Sequence, residues 1–370
     1  MNHNASLANR IAATVVKHFN EAPAKAGKPV IRANGVPEWT VLAGLVTLEG
    51  DKIEVISVAT GVKALPDDTR RYSKGWMVHD MHAEILCLRM LNYVVTEDVL
   101  NERQGKDMLL LERGEKMFRL RKDLKLCLYV SEPPCGDASM SYVAQGREAW
   151  EEPPSKKTKI EQSGLHRGRE SFDVLGVVRT KPGRADSKVT LSKSCSDKLC
   201  LRQETGVLNS INSAFVEPIY LDFLALPEAK FQQADFDRCF GRIDPKNGVS
   251  LQPLLYTEDP YTFHKSEKAV PSPLSLVICP PLEISQALSN GAKNGGFIKN
   301  KPPKPHGASI LCNQKLIQKA RPLLQEINFP TGDSPESYCA LKDSNPQKDL
   351  KNHLHSLLGW TRTTPDNFAL

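Results

Sequence analysis

His82-Ala83-Glu84 opens the stretch HAEILCLRMLNYVV (82–95), which decides the fold of this chain. Its apolar side chains recur at helical spacing, and it therefore predicts a helix from His82 to Val95. A second polar motif, Pro134-Cys135-Gly136, follows the apolar run LKLCLYVS (124–131) and opens another predicted helix. Both motifs thus lie where a strand gives way to a helix, an arrangement that favours an α/β fold.

The residues at these junctions can form a metal site. His82, Cys135 and the later Cys195, in Ser194-Cys195-Ser196-Asp197-Lys198, supply an imidazole and two thiolates. Three such ligands bind zinc and leave one coordination position open. Glu84, two residues after His82, can then handle protons without binding the metal. Hydrolytic removal of an amine from a purine or pyrimidine ring requires this combination.

Neither motif is specific alone. His-x-Glu occurs by chance in many chains, and a lone cysteine is commonly a buried thiol. The specificity comes from the combination of three ligands, one carboxylate and the strand-to-helix context.

Composition places the chain among large globular proteins of a reduced compartment. It has 370 residues, 40% apolar content and a net charge of +6, which suits a polyanionic partner without requiring one. The nine cysteines lack the tight spacing of a disulfide framework, and we find neither a signal segment nor an apolar run of about 20 residues. We therefore expect a cytoplasmic or nuclear protein, or both, without a membrane or an obligatory protein partner. Lys156-Lys157-Thr158-Lys159 is either a weak nuclear-import signal or a disordered basic loop.

The alternation of strands and helices predicts a three-layer α/β core, and the length allows either one large domain with insertions or two smaller ones. A polar stretch at 150–170 predicts a disordered insertion, and a lysine-rich stretch at 290–306 an exposed basic loop. Beyond the elements named above, we expect helices over 7–20 and 228–240, a hairpin of 39–48 with 53–60, and strands over 174–180 and 215–226.

The chain resembles the adenosine deaminases acting on RNA, and among them the eukaryotic tRNA-specific branch in its fungal form. The resemblance covers nearly the whole chain. Its motifs are ATGVK (59–63), HDMHAEI (79–85), SEPPCGDASM (131–140), RTKPGRAD (179–186), SCSDK (194–198) and FVEPIY (215–220). It implies a three-layer α/β/α cytidine-deaminase-like core with a mixed sheet, within a single deaminase domain over residues 1–370. Insertions of this family and a C-terminal helical extension would complete that domain.

The resemblance also implies the chemistry. One Zn²⁺ would bind His82, Cys135 and Cys195, Glu84 would shuttle the proton, and adenosine in tRNA would become inosine. The short segment between Arg179 and Cys195 favours a tRNA loop over a long duplex, because an unstacked adenosine costs less to extrude. The implied substrate is the adenosine immediately 3′ of the anticodon in alanine tRNA.

Further residues are assigned by resemblance alone. Val62 and Lys63 would contact the substrate, Lys63 through its phosphate. A buried inositol hexakisphosphate would be held by six residues: Arg89, Lys198, Tyr338, Lys342, Trp360 and Asp366. A polar relay of Asp80, Lys181 and Lys198 would run from this anion toward the zinc. The chain departs from the family pattern at His79, where asparagine is usual, and at Leu88, where arginine is usual.

Three other functions stay open. A double-stranded-RNA adenosine deaminase of the same family would edit long duplexes. A catalytically silent RNA-binding relative would be expected to lack the carboxylate, which is present here as Glu84. A structural zinc protein would normally close the coordination shell with a fourth protein ligand.

Overall fold

The computed structural model describes residues 3–23, 26–145, 166–168, 173–181, 187–326 and 337–370. The described helices are α1 (His3–Glu21), α2 (Asp67–Ser73), α3 (Ala83–Arg103), α4 (Met140–Ala144), α5 (Cys195–Thr205), α6 (Gln233–Phe240), α7 (Asn313–Glu326), α8 (Tyr338–Asp343) and α9 (Lys348–Leu357). The described strands are β1 (Glu38–Trp39), β2 (Leu42–Glu49), β3 (Lys52–Thr60), β4 (Val62–Ala64), β5 (Asp80–His82), β6 (Leu111–Arg113), β7 (Phe118–Leu120), β8 (Lys125–Val130), β9 (His166–Arg167), β10 (Arg179–Thr180), β11 (Phe223–Pro227), β12 (Gln252–Tyr256), β13 (Val270–Pro271), β14 (Ser275–Cys279), β15 (Ile284–Ser289) and β16 (Ala292–Lys293).

A mixed sheet forms the centre of the fold. Its strands follow the order β12-β11-β8-β2-β3-β14-β15-β16. β8, β11 and β12 are parallel, whereas β8, β2, β3 and the remaining strands pair antiparallel. Parallel neighbours need a long crossover connection. The crossover from β8 to β11 contains both Cys135 and Cys195, which is why two residues so distant in sequence can meet.

Helices cover both faces of this sheet. On one face α1 buries Ile11, Val15 and Phe19 against side chains that include Leu42 and Tyr129. On the other face α3 lies across β2, β3 and β14 with an almost completely buried surface. The predicted three-layer core with a mixed sheet is confirmed. The helix predicted over 82–95 is confirmed and extends to Arg103, since buried residues continue beyond Val95.

Two predicted strands are much shorter than their apolar runs. The strand expected over 174–180 is limited to β10, Arg179–Thr180. The strand expected over 215–226 begins only at Phe223, because Val216 bridges β7 instead and Pro218 has no N–H to donate to a ladder. The helix expected over 228–240 is divided into a 3-10 turn, Glu228–Lys230, and α6.

The C-terminal part is helical, as the resemblance implied: α8 and α9 pack Leu341 and Leu354 into the main core. In the predicted basic loop, Lys293, Lys299, Lys301 and Lys304 are exposed, although Ala292–Lys293 forms β16 against β15.

The prediction for 150–170 falls mostly outside the described residues, as does Lys156-Lys157-Thr158-Lys159. Within that range, the structure describes β9, His166–Arg167, which pairs in parallel with β10. The single-domain organisation stays a prediction. Among the described helices, none is both long and apolar enough to cross a membrane.

Candidate active site

His82 and Glu84 sit at the junction of β5 and α3. β5 pairs antiparallel with β4, which places Val62 opposite His82. The amide of Ala83 donates to the carbonyl of Gly61 at 3.1 Å and fixes the start of α3. Glu84 occupies the first turn of that helix, and its side chain is buried.

Cys135 follows β8, and the backbone around it contacts the segment that carries Cys195. Pro133 and Pro134 end the strand, and Gly136 adopts a φ of 108°. A β-carbon on Gly136 would lie 2.2 Å from Oγ of Ser194, so only glycine allows this approach. The amide of Cys195, the first residue of α5, then donates to Sγ of Cys135 at 3.4 Å.

The three ligand atoms converge. Nδ1 of His82 lies 3.7 Å from Sγ of Cys135 and 3.6 Å from Sγ of Cys195. A tetrahedral ion with usual Zn–N and Zn–S bonds separates nitrogen and sulfur by about 3.6 Å. Among the described residues these three form the group of histidine, cysteine or acidic side chains that could hold a metal ion. The cluster is therefore compatible with zinc.

Glu84 is a buried carboxylate, and one of its oxygens accepts no hydrogen bond from the described residues. It is 2% exposed, and its Oε2 atom has no hydrogen-bond partner among the described residues. Burial raises the pKa of Glu84, because a charged carboxylate is disfavoured away from water. Its carboxylate oxygen is consequently free to accept and return a proton beside the ligand cluster.

Asp80, Lys181 and Lys198 contact one another beside Cys195, and their role as a relay stays a prediction. Nζ of Lys181 lies 2.8 Å from both oxygens of Asp80 and 3.3 Å from Sγ of Cys195. Lys198 forms a short ion pair with the same carboxylate and donates to Ser192 at 2.9 Å. Burial alone would raise the pKa of Asp80, but the charges of both lysines hold it well below its ordinary value.

A profile of the adenosine-deaminase (editase) domain matches residues 57–362. The chain belongs to this family. It is 36% identical to tRNA-specific adenosine deaminase 1 of Schizosaccharomyces pombe, over 88% of each chain. It is 33% identical to tRNA-specific adenosine deaminase 1 of Saccharomyces cerevisiae, over 98% of this chain and 94% of the yeast protein. Identity to the double-stranded RNA-specific editase Adar of Drosophila melanogaster is 26%, over 60% of this chain and 34% of that protein.

The editase domain places the two predicted substrate residues beside the ligand cluster. Val62 and Lys63 lie on β4, with Lys63 opposite Met81 in the register. Both residues are half-buried. Their roles stay predictions.

Of the six residues predicted to hold a polyanion, Lys198 pairs with Asp80 as described above, and Tyr338, Lys342 and Trp360 take part in ring contacts. Tyr338 stacks on Phe368 at 4.9 Å, and Nζ of Lys342 lies 5.5 Å from the Tyr338 ring centroid. Trp360 stacks on His355 at 5.0 Å, with Nζ of Lys193 at 5.7 Å from its ring centroid.

Arg89 and Asp366 each have protein partners. The Arg89 guanidinium donates to the carbonyl of Leu311 and to Oδ1 of Asn313. Asp366 accepts from Ser73 and from the Gly75 amide, and its Oδ2 lies 2.8 Å from Nε2 of His79. This explains the departure at His79, whose imidazole anchors the C-terminal segment.

Sequence reasoning missed three further cations in this region: Arg202, Lys193 and Lys351. Burial, together with the charge of Arg89, lowers the pKa of Arg202 to about 10. Burial and the charges of Arg202 and Lys342 lower the pKa of Lys351 to about 8. Burial and the charge of Lys198 lower the pKa of Lys193 to about 8. The sequence contained one signal for Arg202: it follows Lys198 by four residues, about one helical turn, so both side chains lie on the same face of the helix.

Proposed function

We propose that this editase is a zinc-dependent tRNA adenosine deaminase that converts the adenosine immediately 3′ of the anticodon in alanine tRNA to inosine. The observation that supports it most is the convergence of His82, Cys135 and Cys195 beside Glu84, whose Oε2 is buried without a partner among the described residues. A structural zinc site would need a fourth protein ligand, and the described residues provide only these three.

Zinc would be held by the imidazole and the two thiolates, and when bound it would supply an activated water at neutral pH. The protein's own groups do the rest. Glu84 would take a proton from the attacking water at Oε2 and deliver it to the ring nitrogen, while the water oxygen bonds to the ring carbon that carries the amine. It would then pass the second proton of that water to the amine, so that the carbon–nitrogen bond breaks and ammonia leaves. Lys181 donates to Sγ of Cys195 and thereby stabilises that thiolate.

Two observations favour tRNA over a long duplex. The tRNA-specific relatives from the two yeasts match 88% and 98% of this chain at 36% and 33% identity, and that from Drosophila matches 90% of it at 24%, whereas the Drosophila duplex editase matches only 60% of it, at 26%. The segment between Arg179 and Cys195 is also short, which suits an adenosine already exposed in a loop. The choice of alanine tRNA rests on the resemblance.

The exposed lysines of the loop at 290–306 would contact the phosphate backbone. Lys293, Lys299, Lys301 and Lys304 pair with no carboxylate among the described residues. The base of the loop packs beside the active-site strands: a β-carbon on Gly291 would lie 2.7 Å from Cδ1 of Leu65, two residues after Lys63. The loop therefore emerges close to the predicted substrate contacts, where free ammonium groups would bind RNA.

We further propose that the cation cluster holds inositol hexakisphosphate. The members of this cluster lie close enough for their charges to lower the pKa of one another or of the neighbouring His355. They are Arg89, Arg202, Lys193, Lys342 and Lys351. Lys342 is exposed, but Lys193 is buried, and Arg89, Arg202 and Lys351 are half-buried. Like charges that are removed from water in this way are unfavourable without an anion. Asp366, itself a carboxylate, would act by holding His79 rather than by touching phosphate.

The decisive experiment incubates the purified protein with an alanine tRNA transcript and maps inosine. Glu84→Gln should abolish conversion while zinc content is unchanged, and Glu102→Gln, at the other end of α3, is the matched control. Conversion by Glu84→Gln would contradict the mechanism. Inosine in a long duplex but not in tRNA would favour the duplex editor instead. For residence in the cytoplasm or the nucleus, which we also propose, a fluorescent fusion is the test.

A further inference from the structure

Each cysteine ligand is followed two residues later by a buried aspartate. Asp137 follows Cys135, and Asp197 follows Cys195. Both aspartates are 0% exposed. Neither belongs to the cluster that could hold the metal. A buried carboxylate is costly without a partner, so its partners identify what it does.

Each aspartate pairs with an arginine: Arg238 lies in the last turn of α6, and Arg242 lies two residues after that helix ends. Nε of Arg238 lies 3.2 Å from each carboxylate oxygen of Asp137, and its Nη2 donates to the Asp137 carbonyl at 2.8 Å. Nη2 of Arg242 donates to Oδ1 of Asp197 at 2.8 Å. The two arginines are four residues apart, so a single segment reaches both aspartates.

The other contacts of the two aspartates fix the turns that present the thiolates. Oδ1 of Asp137 accepts from the Gly176 amide at 3.0 Å. Oδ2 of Asp197 accepts from the Arg179 amide at 2.9 Å and from Oγ of Ser194, the residue before Cys195. Each carboxylate therefore ties a cysteine-bearing turn to its arginine and to a second backbone segment.

The two turns are also joined to each other. Oγ of Ser196 donates to the Pro134 carbonyl at 2.9 Å and accepts from the Ala138 amide at 3.2 Å. A displacement of one turn therefore moves the other, and the two arginine contacts act on one rigid unit.

We propose that Arg238 and Arg242 are positioning residues of the metal centre. Each arginine pairs with the aspartate two residues after a cysteine ligand, and it thereby holds the turn that directs the thiolate at the ion. We name the pair the arginine clasp. This inference rests on the proposed zinc site. Partners that orient metal ligands from outside typically change metal affinity or activity by about 10- to 100-fold when removed.

The test measures zinc release from the full-length protein into a chromophoric chelator at a temperature well below unfolding. Arg238→Met and Arg242→Met should release zinc about 10- to 100-fold faster than the wild type. The lysine variants at both positions keep the charge but lose the planar guanidinium. Their rates of zinc release should therefore lie between those of the wild type and the methionine variants. If the methionine variants do not fold, the lysine variants decide.

Asp98→Asn is the matched control for general destabilisation. Asp98 is a buried aspartate that accepts from the amides of Leu109, Leu110 and Leu111. It lies 15 residues after Ala83 on α3, about 22 Å along the helix from the ligands. Its substitution should lower the melting temperature without changing the rate of zinc release.

The outcomes separate the two proposals. A wild-type protein without zinc would overturn the proposed metal centre. A wild-type protein with zinc, but clasp variants that release it at the wild-type rate, would overturn the clasp alone. Equal acceleration by Asp98→Asn would also overturn it, because the effect would then reflect loss of stability.

Discussion

Replacing Lys351 by methionine should change stability with opposite signs in the anion-free and the anion-bound protein. Burial and the charges of Arg202 and Lys342 lower the pKa of Lys351 from 10.5 to about 8. A pKa difference of one between the folded and the unfolded state corresponds to about 1.4 kcal/mol of stability. Protonated Lys351 therefore costs the anion-free fold about 3 kcal/mol at pH 7, and the methionine variant should recover most of it.

The pH dependence follows from the same lowered pKa. The folded-state pKa lies below the unfolded value, so between about pH 8 and 10.5 the unfolded chain binds more protons than the folded one. The cost is fully present below pH 8. The anion-free wild type should gain stability as pH rises through this window, and Lys351→Met should gain less.

Inositol hexakisphosphate should reverse the order of the two proteins. A bound polyphosphate would pair with the Lys351 ammonium, so the wild type would be stabilised more than the variant. The assay is denaturant unfolding of protein that has been desalted under denaturing conditions and refolded, with and without the added anion. Lys348→Met is the control, since Lys348 lies on the same helix and pairs with Asp343 at 3.5 Å.

Two results would refute this reasoning. One is a Lys351→Met variant that is destabilised equally with and without the anion. The other is a wild type whose unfolding is unaffected by the anion at concentrations that saturate comparable phosphate sites.

Three other predictions concern the active site and its surroundings. Asp80→Asn leaves Lys181 and Lys198 without their shared counter-charge and should lower the free energy of unfolding by about 3–5 kcal/mol; an unchanged denaturation midpoint would contradict this. Substituting Lys299, Lys301 and Lys304 with glutamine should raise KM for tRNA at constant kcat and reduce the salt slope of binding by about 2–3. The control is glutamine at Lys106, Lys116 and Lys122, which are exposed residues outside this loop, and equal effects in both sets would exclude a specific role for the loop. Chelation should abolish inosine formation and added Zn²⁺ should restore it, whereas activity that survives complete metal removal, verified by metal analysis, would show that no metal is needed.

The helix of the His82 motif and the strand before Cys135 could be predicted because their signals are local. Residues 82–95 carry a helical period, and Pro133 and Pro134 mark the end of β8. The strand predicted over 215–226 was wrong in its first half for the opposite reason. Its apolar side chains are buried, but the backbone partner of Val216 is Phe118, nearly 100 residues away.

The arginine clasp and the added cations could not be predicted from local pattern. Arg238 is separated from Asp137 by 101 residues, and only the crossover from β8 to β11 brings them together. An arginine on an amphipathic helix ordinarily indicates a solvated face. Lys351 likewise looks like an exposed residue of α9 until the positions of the neighbouring charges of Arg202 and Lys342 are known.

Asp80 connects the cation cluster to the metal ligands through charge. Its carboxylate pairs with Lys181, which donates to Sγ of Cys195. It also pairs with Lys198, whose charge contributes to the lowered pKa of Lys193. If the polyanion were absent, Asp80 would be the counter-charge left to Lys198. The same carboxylate would still have to pair with Lys181. The anion would therefore affect catalysis through the hydrogen bond to one thiolate, without contacting zinc or substrate. Loss of the anion should then alter zinc retention as well as stability, which distinguishes this coupling from a purely structural role.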